Sequence, residues 1–456
     1  MERHDLLYRL YDEFDTERLR EYQQFVDLFP PVDSRVALEH WQNANEELED
    51  RKDEIRGGFA VGETFAEIAA RATRDQAFAA LDLHAKYDRA VNVLVLDVDE
   101  TLRSAGGTDN EIPRDTLHVL TEFHEAGVPI VICTGQTLEN VKGFMIQGLG
   151  SEIVHSGDLS IVYEAGTGVF TPGHGADTKQ LLFEDLDHET RSIFDNVRAR
   201  VLPDAPDELR RGCHLQGNEF NVTLKPNFET GSDRAREVID DALVYLLDLL
   251  GDVVVDELDV DAAAATGDDP AIGAASDDEP TGDGELTDDD AGSGATSATD
   301  RDAGVPANEW ARAFYGDADP EIRRVLERAG RFPDASPEDV PDAVAETFDR
   351  IDVAYYEADA AEIGSLELNK VVGVEAAFDV LGIDDPFALV MGDSKSDRRV
   401  MEWVAEHDAG IAAAPKHASQ ETLEHVLERD ELVFGQGQSA EMLRTAYALN
   451  QLAGIP

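Results

Sequence analysis

Short apolar runs, each tied to a helical pattern, constrain this chain more than any other feature. Val91–Leu96, Val128–Cys133 and Phe387–Met391 are aliphatic and rich in β-branched residues. Helical spacing follows at about 113–126, 138–147 and 397–405, and Lys370–Leu381 carries it ahead of the third run. A strand that is apolar on both faces is buried on both, and strands separated by helices pair in parallel. The fold class that follows is α/β, with a doubly wound parallel-sheet core. A long insert between about 170 and 365 interrupts that sheet.

The remaining segments set the domain plan. Residues 1–90 read as a helical extension. Apolar positions recur at Leu6, Leu7, Leu10, Tyr11 and Phe14 in a segment that stops at Pro30-Pro31. A second helical segment spans about 34–55 and ends at Gly57-Gly58, and a third spans 63–87. Such stripes most often cover a neighbouring domain, and a surface for a homo-oligomer is their rarer use. The first part of the core occupies 91–170 and the second 365–456. Residues 171–364 read as an inserted α+β domain, with strand patterns at Glu219–Leu224 and Val353–Tyr356 around an amphipathic helix at Arg234–Leu250. Within it, 262–306 is mostly Ala, Gly, Asp, Ser and Thr without an aromatic residue. That stretch cannot bury enough apolar area to offset its ordering entropy, so a disordered acidic loop is expected.

Charge excludes some functions. The 456 residues carry a formal charge of −59, of which only 16 acids fall in 251–300. Eight lysines stand against 30 arginines. Acid spread along the whole chain, with Lys scarce, predicts a halophilic protein whose self-repulsion is screened by concentrated salt. Nucleic acid is not an expected partner, because phosphate backbones repel such a surface and no basic patch offsets it. Cys133 and Cys213 have no metal-like or redox-like spacing, which suits a reducing cytoplasm. No apolar run reaches the length of a membrane helix, and the acidic start Met1-Glu2-Arg3-His4-Asp5 lacks the apolar region of a secretory signal. A cytoplasmic location without membrane partners is expected.

Chemistry concentrates where the strands end. Val91–Leu96 delivers Asp97-Val98-Asp99-Glu100-Thr101, and side chains at i and i+2 of a strand face one way. Other Asp-x-Asp pairs occur at 185/187, 259/261, 288/290, 300/302 and 317/319, but only Asp97 follows an apolar strand and continues to Thr at the fifth place. The second strand ends in Thr134-Gly135, whose hydroxyl and backbone N–H groups suit an anion or, equally, an ordinary helix cap. The third leads into Gly392-Asp393-Ser394-Lys395-Ser396-Asp397, adding two carboxylates to the same sheet edge. The similar Gly251-Asp252-Val253-Val254-Val255-Asp256 lacks the strand–loop–helix setting. Lys370 opens a helix, and carboxylates that are also to hold a phosphate need such a cation. Ligands bind outside the carboxyl ends of strands in open α/β sheets. Paired carboxylates there can share a magnesium ion and leave one free as nucleophile or acid.

In this order, Asp97-x-Asp99-x-Thr101, Thr134, Lys370 and Gly392-Asp393 with Asp397 resemble the motifs of the haloacid dehalogenase (HAD) superfamily of phosphatases. The long insert resembles the C2 cap of its Cof-like and sugar-phosphatase branch, and Ile161–Gly166 is similar to the strand that precedes that cap. Ser396 departs from the Asn that many Cof-like members carry there. The resemblance covers about 91–170 and 365–450. It implies a HAD-like Rossmannoid core and a Mg²⁺-dependent hydrolase, a phosphomonoesterase for a small phosphorylated metabolite such as a sugar phosphate. By the same resemblance, Asp97 is the nucleophile and Asp99 the acid–base, and Thr134, Gly135 and Lys370 hold phosphate. Mg²⁺ falls to Asp97, the Asp99 carbonyl, Asp393 and Asp397, while Thr101 braces the loop. A phosphomutase on the same scaffold and a non-catalytic sugar-phosphate binder are the alternatives. Which of Glu219, Asn221, Thr223 and Lys225 read a substrate is left open by the sequence.

Overall fold

The computed structural model describes residues 3–29, 35–103, 111–217, 220–227, 230–259 and 306–455. The acidic loop expected at 262–306 lies outside them except for Pro306, and so does Glu219. The strands in chain order are β1 (Val93–Leu96), β2 (Ile130–Cys133), β3 (Leu159–Tyr163), β4 (Gly168–Phe170), β5 (Gln180–Leu181) and β6 (Cys213–Gln216). They continue as β7 (Asn221–Pro226), β8 (Ile351–Tyr356), β9 (Ala360–Ser365), β10 (Ala388–Met391), β11 (Gly410–Pro415) and β12 (Leu432–Phe434). The chain divides into two compact units, one formed by Met1–Asp185 with Leu368–Pro456, the other by Leu186–Glu367.

The first unit holds a sheet in the order β12-β11-β10-β1-β2-β3-β4-β5. Pairing is parallel from β12 to β3, and β4 and β5 add antiparallel strands at one edge. Apolar side chains on both faces explain the unbroken runs in the sequence. Leu94, Leu96, Ile130, Ile132, Leu389 and Met391 enter one core, and Val93, Val95, Val131, Cys133 and Val390 enter the other. The helices Lys370–Leu381 and Lys395–Glu406 cover the second face through Val374, Phe378, Val400 and Met401. This is the doubly wound α/β fold expected from the sequence.

The first face is covered by the N-terminal helices together with Arg114–Glu125 and Ser439–Ala453. Leu7, Leu10, Leu19, Leu48, Ile55 and Phe65 share one core with the sheet residues, so the apolar stripes of the extension pack inside the unit. Two long helical patterns are broken by local caps. Asp15 accepts from the Arg18 N–H at 3.2 Å and separates Arg3–Glu13 from Thr16–Leu28. Thr73 and Gln76 form a capping box that separates Gly62–Arg71 from Arg74–Tyr87.

The inserted unit begins at Leu186 rather than at 171. The reason is that β4 pairs with β3 and β5 with β4, which keeps the chain on the first sheet through that stretch. The unit is α+β, with an antiparallel sheet in the order β6-β7-β9-β8 and the long helix Ser232–Leu258 against β7 and β9. That helix takes in Gly251–Asp256, so the second Gly-Asp pattern lies inside a helix. Asn221 and Thr223 each donate to the Glu362 carboxylate, at 2.7 and 2.9 Å, and Lys225 pairs with Asp359 at 3.3 Å. Among the described residues no helix is long and apolar enough to cross a membrane.

Candidate functional site

The site forms where the chain reverses direction across the sheet. From β1 the strands proceed through β2 to β3 on one side, and from β10 through β11 to β12 on the other. β1 and β10 are neighbours in register, with Leu96 opposite Met391. Their carboxyl ends therefore open a crevice at the switch point. Asp97 continues β1 and its N–H donates to the Met391 carbonyl at 2.9 Å.

Four charged groups meet there. Lys370 Nζ donates to Asp97 Oδ1 at 2.8 Å and to Asp397 Oδ1 at 2.6 Å. Lys370, Asp97 and Asp397 are only 3%, 6% and 3% exposed. One carboxylate oxygen each of Asp97, Asp393 and Asp397 lies within 4.8 Å of the others. Two glycines make this convergence sterically possible. A Cβ on Gly392 would stand 2.3 Å from the Asp397 Cβ, so glycine is required for Asp397 to approach. Gly166, at φ +104°, lets the Asn369 carbonyl come so close that a Cβ would sit 2.0 Å from it. Asn369 caps the following helix, accepting from Val371 N–H at 2.8 Å, and so aims Lys370 from its first residue.

Asp397 has a second task. Its Oδ2 accepts from the Ser394 hydroxyl at 2.6 Å and from the Ser394 N–H at 3.1 Å, as part of a capping box. Ser396 contacts the Ser394 hydroxyl at 2.9 Å. The helix start and the charge cluster are therefore one structure.

Electrostatics set the chemistry. Burial, and then the charge of Asp397, raise the Asp97 pKa well above the carboxylate range despite Lys370. The same two causes push Asp393 up to about 7. Burial alone would lower Lys370, but Asp397 and Asp97 outweigh it and keep the ammonium charged. Three acids against one ammonium would leave surplus negative charge if all were ionised, and burial therefore holds Asp97 and Asp393 toward the protonated form until a further cation is present. Hard carboxylate oxygens so placed fit a magnesium ion.

Asp99 lies apart from that cluster. Its Oδ1 accepts from Arg103 Nε at 2.9 Å and its Oδ2 from Gln136 Nε2 at 2.6 Å. Its carboxylate is thus held by a clamp, apart from the three acids that gather at Lys370. Thr134 ends β2 beside β1, is buried, and accepts the Gln136 N–H at 3.1 Å. A Cβ on Gly135 would meet nothing within 4 Å, so the space beside that backbone is open.

The Thr101 hydroxyl is buried without a hydrogen-bond partner among the described residues. His417 lies against the same loop, its Nε2 3.0 Å from the Glu100 carbonyl and 3.3 Å from its carboxylate. Glu100 takes φ +57°, and the turn it makes brings the chain back so that Arg103 bridges to Asp99. Arg103, Gln136 and His417 carried no sequence signal beyond the first two lying near motif residues.

No family model matches the chain, and no curated protein matches it. Its fold aligns with a sucrose-phosphatase from Synechocystis at 10% identity and TM-score 0.38, over 79% of this chain and 99% of that one. It aligns with a trehalose-6-phosphate phosphatase from Aspergillus fumigatus at 13% identity and TM-score 0.39, over 83% and 98%. A haloacid dehalogenase-like hydrolase from Bacteroides thetaiotaomicron aligns at 11% identity and TM-score 0.38, over 78% and 98%. These likenesses are distant, and the chemistry follows from the site's own residues.

Proposed function

We propose that this chain is a Mg²⁺-dependent phosphomonoesterase of the haloacid dehalogenase type, acting on a small phosphorylated metabolite, a sugar phosphate. The observation that carries this reading is the buried ammonium of Lys370 held between Asp97 and Asp397 at the switch point, with Asp393 alongside. A passive binder of phosphate has no use for so many carboxylates around one cation. A phosphoryl-transfer site does, because a cation can mask them while one attacks.

In the proposed reaction an Asp97 oxygen attacks phosphorus as the bond to the substrate alcohol breaks. Asp99 gives that leaving oxygen its proton. Water then attacks the phosphorus, Asp99 takes the proton from it, and the bond to Asp97 breaks to release inorganic phosphate. Dividing one displacement into two lowers each barrier, and positioned acid–base help adds ~10²–10⁴-fold. Lys370, the Thr134 hydroxyl and the Gly135 N–H hold the phosphoryl oxygens. Asp97, Asp393 and Asp397, with the Asp99 carbonyl, would hold Mg²⁺. When bound, the ion neutralises the surplus charge and allows an anionic phosphate to approach an anionic carboxylate. Arg103 and Gln136 orient Asp99. Selection of the alcohol is assigned to the inserted unit.

The test is phosphate release from a panel of sugar phosphates in multimolar KCl, with and without Mg²⁺, by the native chain and by Asp97→Asn. Release that requires both Mg²⁺ and Asp97 supports the proposal and names the substrate. Isomer conversion without net phosphate would identify a mutase. Neither activity from folded protein would leave a binder.

A further inference from the structure

A second group of ligating side chains lies on helices of the first unit and not at the strand ends. Asp27 stands near the end of helix Thr16–Leu28, and His118 and Glu122 lie one turn apart on helix Arg114–Glu125. His118 Nε2 is 3.2 Å from Asp27 Oδ2 and 3.7 Å from Glu122 Oε1. One atom from each of the three lies within 4.8 Å of the others. Metal–ligand bonds of ~2.0–2.2 Å in a tetrahedron put neighbouring donors roughly 3.3–3.6 Å apart, which is the scale of the two histidine contacts. Despite that closeness, the buried His118 Nε2 forms a hydrogen bond with neither carboxylate.

Gln23 supplies an independent observation. It is one turn before Asp27, is 6% exposed, and donates its amide N–H to Asp27 Oδ1 at 2.7 Å. Its Oε1 is then buried without a partner among the described residues. All four residues line one cavity of about 210 Å³. A buried acceptor left unpaired costs ~1–3 kcal/mol. A proton on His118, whose pKa the flanking carboxylates raise to about 9, would answer the charges of Asp27 and Glu122. It leaves Gln23 Oε1 unanswered. A cation in the cavity would answer Asp27, His118 and Glu122 together, and Gln23 lines the same cavity. Arg71 Nε donates at 2.6 Å to Glu122 Oε1, the same oxygen that lies 3.7 Å from His118 Nε2, and holds that carboxylate in place.

We propose that Asp27, His118 and Glu122, with the Gln23 amide oxygen, bind one divalent transition-metal ion. An imidazole among oxygen donors in a tetrahedral arrangement suits zinc better than magnesium or calcium. The ion ties the N-terminal extension to the sheet-covering helix and is independent of the proposed catalysis.

The experiment uses the full chain in multimolar KCl, stripped by chelator and titrated with Co²⁺ as a spectroscopic substitute for Zn²⁺. It is carried out in an Asp393→Asn background to silence the strand-end carboxylates. The expected result is one equivalent of Co²⁺ with the intense visible bands of tetrahedral coordination, displaced by Zn²⁺ and lost in both His118→Ala and His118→Gln. Zn²⁺ should raise the melting temperature of the native chain and not that of the His118→Gln protein, whose turnover stays within twofold of native. Absence of Co²⁺ bands in the Asp393→Asn chain would overturn the proposal. So would bands that persist in a folded His118 variant.

Discussion

Two clusters of carboxylates in one unit make an instructive contrast. At the strand ends, Asp97 follows β1, Asp393 follows β10 and Asp397 lies in the first turn of the next helix, and they gather about a single lysine 273 positions from Asp97. Between the helices, Asp27 and Glu122 flank His118, and Glu122 has Arg71 as a further partner. The first cluster is more deeply buried and has too few cations for its acids. The second is half-buried, and Arg71 gives one of its two acids a fixed counter-charge. With 97 acids in the chain, carboxylate neighbours are inevitable. Reactivity comes instead from burying them with insufficient counter-charge, since low dielectric magnifies each uncompensated charge.

If that contrast is right, removing a cation should hurt far more at the strand ends than on the surface. Lys370→Met leaves two buried carboxylates without their shared partner, for which about 3–5 kcal/mol of destabilisation is expected. Denaturant unfolding in chelator measures it, and added Mg²⁺ should restore part of the loss. Equal stability of the two proteins without metal would break the contrast. Exposed pairs such as Arg9–Glu13, with both side chains over a third exposed, belong to a class worth at most ~1 kcal/mol.

A second variant sharpens the division of labour between Asp97 and Asp99. Gln136→Ala removes one half of the clamp on Asp99 while leaving the lysine cluster intact. An acid matters when the leaving alcohol is a poor one. In the first step, read as the pre-steady-state rate of alcohol release, the variant is therefore expected to lose about 10-fold or more on a sugar phosphate, and far less on p-nitrophenyl phosphate. An equal loss on both would mean that Gln136 supports only the fold.

The smallest effect lies in the inserted unit. Asp187 caps helix His188–Arg200, accepting from Thr190 N–H at 2.8 Å, and is half exposed. Asp187→Ala should cost about 1 kcal/mol, the usual worth of a cap, without changing turnover per folded chain. That N–H, with Arg350 second, holds the carboxyl below its ordinary range. Its contribution is therefore present above the unfolded carboxylate pKa and is lost as pH falls through the folded one. Unfolding curves for both proteins should converge in acid.

The strand-end acids were legible because position on a strand fixes direction. Asp97 follows an apolar run, and the Gly392-Asp393 pattern records a steric need for Asp397 to pass close to the backbone. Lys370 was legible as a helix start, although its approach depends on Gly166. The clamp on Asp99 was not, because Arg103 returns to it through the left-handed conformation of Glu100, a residue type that rarely adopts it, and Gln136 reaches it from the loop after β2. His417 was invisible for a related reason, since only the fold brings the loop after β11 to Glu100. His118 and Glu122 share a helix face at i and i+4, but nothing local announces that Asp27 will meet them. The late start of the inserted unit was hidden by strands of three and two residues, too short for periodicity to mark.

The central claim is that Asp97 carries the phosphoryl group, and the direct measurement is a rapid-quench experiment on the Asp99→Asn chain with p-nitrophenyl phosphate and Mg²⁺. That leaving group needs little acid, whereas hydrolysis of the intermediate needs the Asp99 base. The account predicts a burst of one p-nitrophenol per chain, with a phosphoryl adduct on the peptide containing Asp97. An adduct on another residue, or undiminished turnover by folded Asp97→Asn protein, would contradict it.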